Sequence, residues 1–273
     1  MYSAYFDMIT SVYQNYYDEN GRCKAPNIKR EDVYDFLTCE PPQEGNRYFD
    51  SVSKPLAQSF QKISQSSFIN WNGRQYYFID PGNGSPQSRF LVARVVANLI
   101  SQTTAIKIAC QLYDYCQNQQ YPQITQTIYQ YKILLGNNSS RAVKMDKIVI
   151  YNKIPLSPKG ECPPISKILG QQMKYLSHFC SKHAGLPQFV WQPSRYSPVG
   201  FGEGIAYHRQ DMTFSEPRAD CVYDVITKTK SKNISPQEFQ DLLSKEFKKR
   251  GLSDNIPFIN HCTKEAETKW LIL

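Results

Sequence analysis

The sequence predicts an α+β fold, with a helical N-terminal segment over residues 1–66 and then, over 67–273, a small, mainly antiparallel sheet flanked by helices. Three observations carry this expectation. Apolar and aromatic residues recur at three- and four-residue spacing near the start, the period drops to two on both sides of an Asn-Gly turn, and helical and extended patterns alternate beyond it.

Tyr2, Tyr5, Phe6, Ile9, Val12, Tyr13 and Tyr16 form the stripe of an amphipathic helix, which core packing explains without a special role, and Asp18 to Gly21 ends it. Arg30 to Leu37 reads as a short helix, Pro41 to Asn46 as a turn-rich link, and Ser53 to Ser64 as a third helix. Phe68 to Trp71, the turn Asn72-Gly73 and Arg74 to Ile79 predict a β-hairpin, because Asn-Gly supplies the positive φ angles of a two-residue turn. Asp80 to Pro86 is a loop. Arg89 to Leu99 is a β-rich segment whose alternation places Arg94, Val96 and Asn98 on one face.

Ala105, Ile106, Ala109, Leu112, Tyr113 and Cys116 give Thr103 to Gln117 the pattern of a helix packed on a sheet. Strands return at Thr127 to Leu135 and Lys147 to Asn152, joined by Gly136 to Arg141, and a helix follows from about Pro164 to His183. After Gly185 the chain reads as irregular through Arg195, Gly200, Gly202, Gly204, His208, Arg209 and Arg218. Helices at Ala219 to Lys228 and Ser235 to Arg250 close it, the second opening on the capping pattern Ser235-Pro-Gln-Glu238.

The chain of 273 residues, 41% hydrophobic, is long enough to bury a core and too apolar to be disordered. It has no run approaching the ~20 apolar residues of a membrane span, and its first residues lack the basic and apolar runs of a secretory signal. Thirty-two Lys and Arg against 24 Asp and Glu give +8, which favours an anionic partner: a phosphorylated substrate, an acidic protein surface or nucleic acid. The densest basic run, Lys245 to Arg250, lies on an amphipathic helix and reads as a solvated face in preference to a nucleic-acid contact. Eight cysteines at 23, 39, 110, 116, 162, 180, 221 and 262 show no zinc-site spacing, so no metal is expected and buried free thiols are.

The candidates for chemistry are cations and one phenol: Arg94 and Lys132 in strands, Arg141 in a loop, Tyr151 at a strand end, and His208, Arg209 and Arg218 in the glycine-rich region. Alone, each Lys or Arg is more often a solvated surface residue, Lys132 would pair with an acid, and Tyr151 would as readily be packing. Taken in order, Arg94-Val-Val-Ala-Asn-Leu99, Tyr131-Lys-Ile-Leu-Leu-Gly136, Lys147-Ile-Val-Ile-Tyr151, the helix from Ile168 to Gly185, Gly202 to Tyr207 and Phe214-Ser-Glu-Pro-Arg218 resemble the phosphothreonine lyase-like family. This family comprises the OspF- and SpvC-type effectors of bacterial type III secretion, with the related HopA-type effectors and class V lanthipeptide lyases. The resemblance spans roughly residues 75–255.

It implies a phosphothreonine lyase-like fold and a metal- and cofactor-independent β-elimination. Lys132 would remove the Cα proton of phosphothreonine or phosphoserine while Arg94, Arg141, Arg209 and Arg218 hold the departing phosphate, leaving dehydrobutyrine or dehydroalanine. The family's general-acid histidine would fall at Val96. His208 or Tyr151 would then supply the acid, or phosphate held by several arginines leaves without one, or activity is lost and a phosphopeptide-binding adaptor remains. The implied partners are a phosphorylated protein or peptide substrate, a separate kinase, and a secretion chaperone for which the Tyr-rich first helix is a docking candidate. The implied setting is the bacterial cytoplasm for lanthipeptide maturation, or secretion into a host cell for an effector.

Overall fold

A computed structural model describes residues 3–40, 50–69, 75–82, 90–99, 101–135, 143–144, 148–155, 166–180, 199–203, 205–207 and 210–253. In chain order its elements are α1 (Ser3–Tyr16), α2 (Arg30–Thr38), β1 (Cys39–Glu40), α3 (Lys54–Ile63), β2 (Ser64–Ile69), β3 (Gln75–Ile79), β4 (Phe90–Ala97), α4 (Gln102–Gln117) and α5 (Pro122–Thr125). There follow β5 (Ile128–Leu135), β6 (Val143–Lys144), β7 (Ile148–Pro155), α6 (Ser166–Ser177), β8 (Val199–Glu203), β9 (Ile205–Tyr207), β10 (Gln210–Thr213), α7 (Ser215–Thr229) and α8 (Pro236–Lys249). The fold is α+β, as the periodicities predict.

Six strands form one sheet in the order β2-β3-β5-β7-β4-β8, every neighbouring pair antiparallel. β1 pairs with β6 and β9 with β10 outside it. The two strands of the expected hairpin pair with Ile69 opposite Gln75, while its Asn72-Gly73 turn lies outside the described residues. β4 stops at Ala97, so the predicted alternation covers Arg94 and Val96 but not Asn98.

The irregular stretch expected after Gly185 contains a strand, β8, which extends the sheet beside β4. Glycine conceals it: Gly200 and Gly202 alternate with Val199 and Phe201, so one face of the strand carries no side chains to register a pattern. Helix α7 likewise begins at Ser215 and not at Ala219, because Pro217 falls in the first turn, where no intrahelical N–H partner is needed.

Alternation divides the sheet into two faces, and the face that carries Lys132 and Arg94 also buries Tyr76, Val96, Leu134, Val149 and Tyr151. Ala93, Val95, Ala97, Tyr131, Ile133, Ile148 and Ile150 are fully buried, and their face packs on α4 and α6. The Tyr131 hydroxyl donates to the Ala109 carbonyl of α4 at 2.6 Å. Asn152 and Gln172 exchange side-chain amide hydrogen bonds at 2.9 and 2.7 Å, Thr127 donates to Asn152 Oδ1 at 2.7 Å, and Gln172 reaches the Ile124 carbonyl at 2.6 Å. This satisfied polar group ties β7 to α6 and α5 inside the core, where an unmet amide would cost ~1–3 kcal/mol.

The N-terminal helices join the same apolar core as the C-terminal ones. Tyr13 and Tyr17 stack at 5.0 Å and both set Phe239 edge-on, at 5.8 and 5.6 Å. The Tyr13 hydroxyl donates to the Ile234 carbonyl at 2.7 Å, and the Tyr17 hydroxyl bonds Thr229 Oγ1 at 2.6 Å. Gly21 closes this joint from beyond α1: at φ 74° its carbonyl accepts from Ile234 N at 3.0 Å, and a Cβ there would lie 2.2 Å from the Ile234 oxygen. α8 opens on the predicted capping box between Ser235 and Glu238.

Between α7 and α8, Glu246 accepts from Lys228 at 2.6 Å, Lys249 at 2.8 Å and Arg250 at 2.9 Å. Burial pushes its carboxyl up, but these bonds pull it down further, from 4.5 to about 2.

Two stability predictions follow from these joints. Gly21→Ala combines a positive φ with a backbone clash and lowers unfolding free energy by at least ~2 kcal/mol in urea titration. The Glu246 contribution is fully present above pH 4.5 and is lost as pH falls toward 2. Because the lysine partners are solvent-exposed, its loss is roughly 1–3 kcal/mol, and Glu246→Gln removes that part of the acid dependence of the melting temperature.

Candidate functional site

The sheet face turned away from α4 and α6 carries the cations that the sequence singles out. Register sets them in two rows across the strands. One row runs Phe78, Lys132, Val149, Val96 and Gly200, and the next runs Gln130, Tyr151, Arg94 and Gly202. Successive same-face residues along a strand lie ~7 Å apart, so Lys132, Tyr151 and Arg94, on three adjacent strands, fall within one small patch.

Arg94 Cζ lies 5.1 Å from the centroid of the Tyr151 ring directly opposite it, an orientation in which the ring face supports the guanidinium. Tyr151 is buried and its ring meets Tyr129 at 6.0 Å. Tyr129 reaches this face through a register shift between Ile128 and Gln130, which lets consecutive residues project the same way. Lys153, one alternation beyond Tyr151, holds its ammonium 5.8 Å from the Tyr129 ring centroid. Burial lowers the Lys153 pKa, with Asp80 acting in the opposite sense. Lys153, Tyr129 and Gln130 therefore border the patch without having been singled out in the sequence. Gln130 lies on the strand expected over Thr127 to Leu135, Lys153 lies one residue past the strand expected to end at Asn152, and Tyr129 comes to this face only through the register shift, which alternation does not reveal.

Lys132 Nζ lies 4.5 Å from the Tyr76 ring centroid. Tyr76 opposes Leu134, so the ammonium leans along the sheet away from the Tyr151 row. Val96, where the family resemblance leads to an acid histidine, stands in the Lys132 row with Val149 between them, and is buried.

Arg218 takes a different place. It is fully buried in α7, donating to the Phe214 carbonyl at 2.6 Å with its Cζ 3.7 Å from the Phe214 ring centroid. That ring occupies the space where a Gly202 side chain would be, its Cε2 2.2 Å from an ideal Cβ. Gly202 opposes Arg94, so Phe214 covers the end of the Arg94 row and its ring is backed by the Arg218 guanidinium. The structure brings Arg94, Lys132 and Tyr151 together and sets Arg218 against Phe214. Arg141, His208 and Arg209 lie outside the described residues.

Other chemistry finds little material among the described residues. They contain no cluster of His, Cys, Asp and Glu able to hold a metal ion. Cys23, Cys110, Cys116, Cys180 and Cys221 are free thiols, and burial pushes Cys116 up to about 11 and Cys180 and Cys221 to about 12, too high for a thiolate nucleophile at neutral pH. No helix among them is long and apolar enough to cross a membrane. A depression of about 430 Å³ lined by Asn15, Tyr16, Pro26, Ile28, Asp32 and Phe36 belongs to the α1 and α2 region and includes no residue of the cationic sheet face.

An α+β scaffold with two cations and a tyrosine on one sheet face is thus the class that the geometry defines. No family model and no curated protein matches the chain. Among solved structures, the fold is similar to that of an effector protein from Pseudomonas syringae pv. tomato strain DC3000, with a TM-score of 0.60, 13% identity, and coverage of 94% of this chain and 97% of that one. It is also similar to an effector protein from Pseudomonas syringae pv. syringae strain 61, with a TM-score of 0.56, 10% identity, and coverage of 94% and 99%. Identities this low establish shared architecture.

Gly202→Ala tests the seat of Phe214. The ring is held by Arg218 and cannot swing freely, so the added methyl destabilises the protein by roughly 1–3 kcal/mol in thermal or urea unfolding.

Proposed function

We propose that the chain is a phospho-lyase that eliminates phosphate from phosphothreonine or phosphoserine in a protein or peptide. The observation that carries this reading is the convergence of Lys132, Tyr151 and Arg94 on one face of three adjacent strands. In this reading a substrate phosphate binds the Arg94 guanidinium, whose planar donors suit its oxygens, with Arg141 and Arg209 adding charge. Lys132 turns off Tyr76, and its neutral amine takes the Cα proton. The Cα–H electron pair becomes the Cα=Cβ bond as the Cβ–O bond breaks. Phosphate leaves with the bonding pair, giving dehydrobutyrine from phosphothreonine or dehydroalanine from phosphoserine. His208 or Tyr151 donates a proton to the leaving oxygen, or the arginine charge alone supports its departure.

The likeness to effector proteins favours action on a host protein over maturation of a precursor peptide. Elimination there would be irreversible, since the product has no hydroxyl to rephosphorylate. A second reading, a catalytically degenerate adaptor that binds a phosphorylated or acidic partner, is favoured by one observation: Val96 occupies the place of the expected acid, in the Lys132 row with Val149 between them.

Mass spectrometry of phosphothreonine and phosphoserine peptides incubated with the protein separates the two. The lyase reading expects loss of phosphoric acid, slowed ~10²–10⁴-fold by Lys132→Ala and weakened ~10–100-fold in kcat/KM by Arg94→Ala. Retained phosphopeptide binding, without loss of phosphoric acid from any peptide, establishes the adaptor instead.

A further inference from the structure

We propose that the outer surface of the α7–α8 pair docks on an anionic lipid bilayer, independently of the sheet-face chemistry. Lys245, Lys248 and Lys249 stand at i, i+3 and i+4 on α8 and are exposed, as are Lys228, Lys230 and Lys232 at the end of α7 and just beyond it. Glu246 gathers the two sets: Lys228 and Lys249 both contact its Oε1, so ammonium groups from two helices meet at one point while their side chains stay 53% and 63% exposed.

Of the acids nearby, Glu246 is buried beneath the lysines and Asp224 is paired with Arg250 at 2.6 Å, while Glu238, which caps α8, and Asp241, which accepts from Gln237, are exposed and keep their charge. Six lysines and Arg250 against these four acids leave the surface a net positive charge.

The chemistry of the patch selects its partner. Compact ammonium groups on flexible stems suit a diffuse anionic surface, whereas phosphate readout in a defined pose favours arginine forks. Stacking on single-stranded nucleic acid needs exposed aromatics, and among the described residues the one exposed large hydrophobic side chain is Tyr121, in the connection between α4 and α5 and not on α7 or α8. A protein interface would need an apolar centre, and the exposed side chains here supply none.

Co-sedimentation of the full chain with phosphatidylcholine vesicles, with and without phosphatidylserine, tests the proposal. Binding should require phosphatidylserine, fall with added salt, and drop roughly fivefold for each lysine removed in Lys230→Gln, Lys232→Gln and Lys245→Gln. The charge-matched variant Lys54→Gln, Lys62→Gln, Lys107→Gln should bind nearly as wild type, and circular dichroism melts confirm that both triples fold. Equal losses in the two triples, equal binding to uncharged vesicles, or no binding overturns the proposal. A duplex or single-stranded oligonucleotide that binds more tightly, with the same sensitivity to the α7–α8 lysines, replaces it with nucleic-acid recognition.

Discussion

Strand β7 is paired on both edges, with β5 and with β4, and the register of those two pairings decides what each sheet face contains. A slip by one residue would turn Ile148 and Ile150 outward and drive Tyr151 and Lys153 into the helices. The Asn152, Gln172 and Thr127 hydrogen bonds oppose such a slip, because those groups meet their partners only in the observed alignment. Apolar burial sets the orientation of the sheet, and this polar cluster makes it specific. The row of Arg94 opposite Tyr151, and the placement of Lys132 one row away, follow from the same alignment.

The helices at the two ends of the chain act on the sheet through few contacts. Tyr13 of α1, with Tyr17 and Gly21 just beyond it, fastens the N-terminal helix to the end of α7 and the α7–α8 connection, and the first residue before α7, Phe214, fills the slot left by Gly202. Arg218 is held by that ring and its carbonyl. A buried guanidinium is costly without such partners, and here it stiffens the aromatic side chain that borders Arg94. Its place is therefore beside the patch and behind a ring, which gives it an influence on shape that a strand arginine does not have.

Architecture and chemistry part company at this level of similarity. The Pseudomonas effector structures share the fold over nearly the whole chain at 13% and 10% identity, so the arrangement of layers tolerates almost complete replacement of side chains. The reading of the sheet face rests on this chain's own residues. Two features pull against each other: Lys132, Arg94 and Tyr151 share one patch of the sheet face, while Val96 adds no titratable group to it and the Lys132 ammonium rests over Tyr76, away from the Tyr151 row.

By itself the sequence determined the elements whose signals are local: the tyrosine stripe of α1, the β2–β3 hairpin, the α4 pattern and the Ser235 cap all depend on neighbours within a few residues. It also placed Arg94 and Lys132 on strands, since alternation is a local property. Tertiary structure alone decided which strands lie side by side, so only it could set Lys132, Tyr151 and Arg94 in adjacent rows. β8 escaped notice because glycines erase alternation, and Arg218 reads in sequence as a phosphate-binding candidate because nothing near it reveals that Phe214 turns back onto Gly202 with the guanidinium behind its ring. The physical reason is the same throughout: periodicity records which way a side chain points, whereas burial and company depend on contacts between residues far apart in the chain.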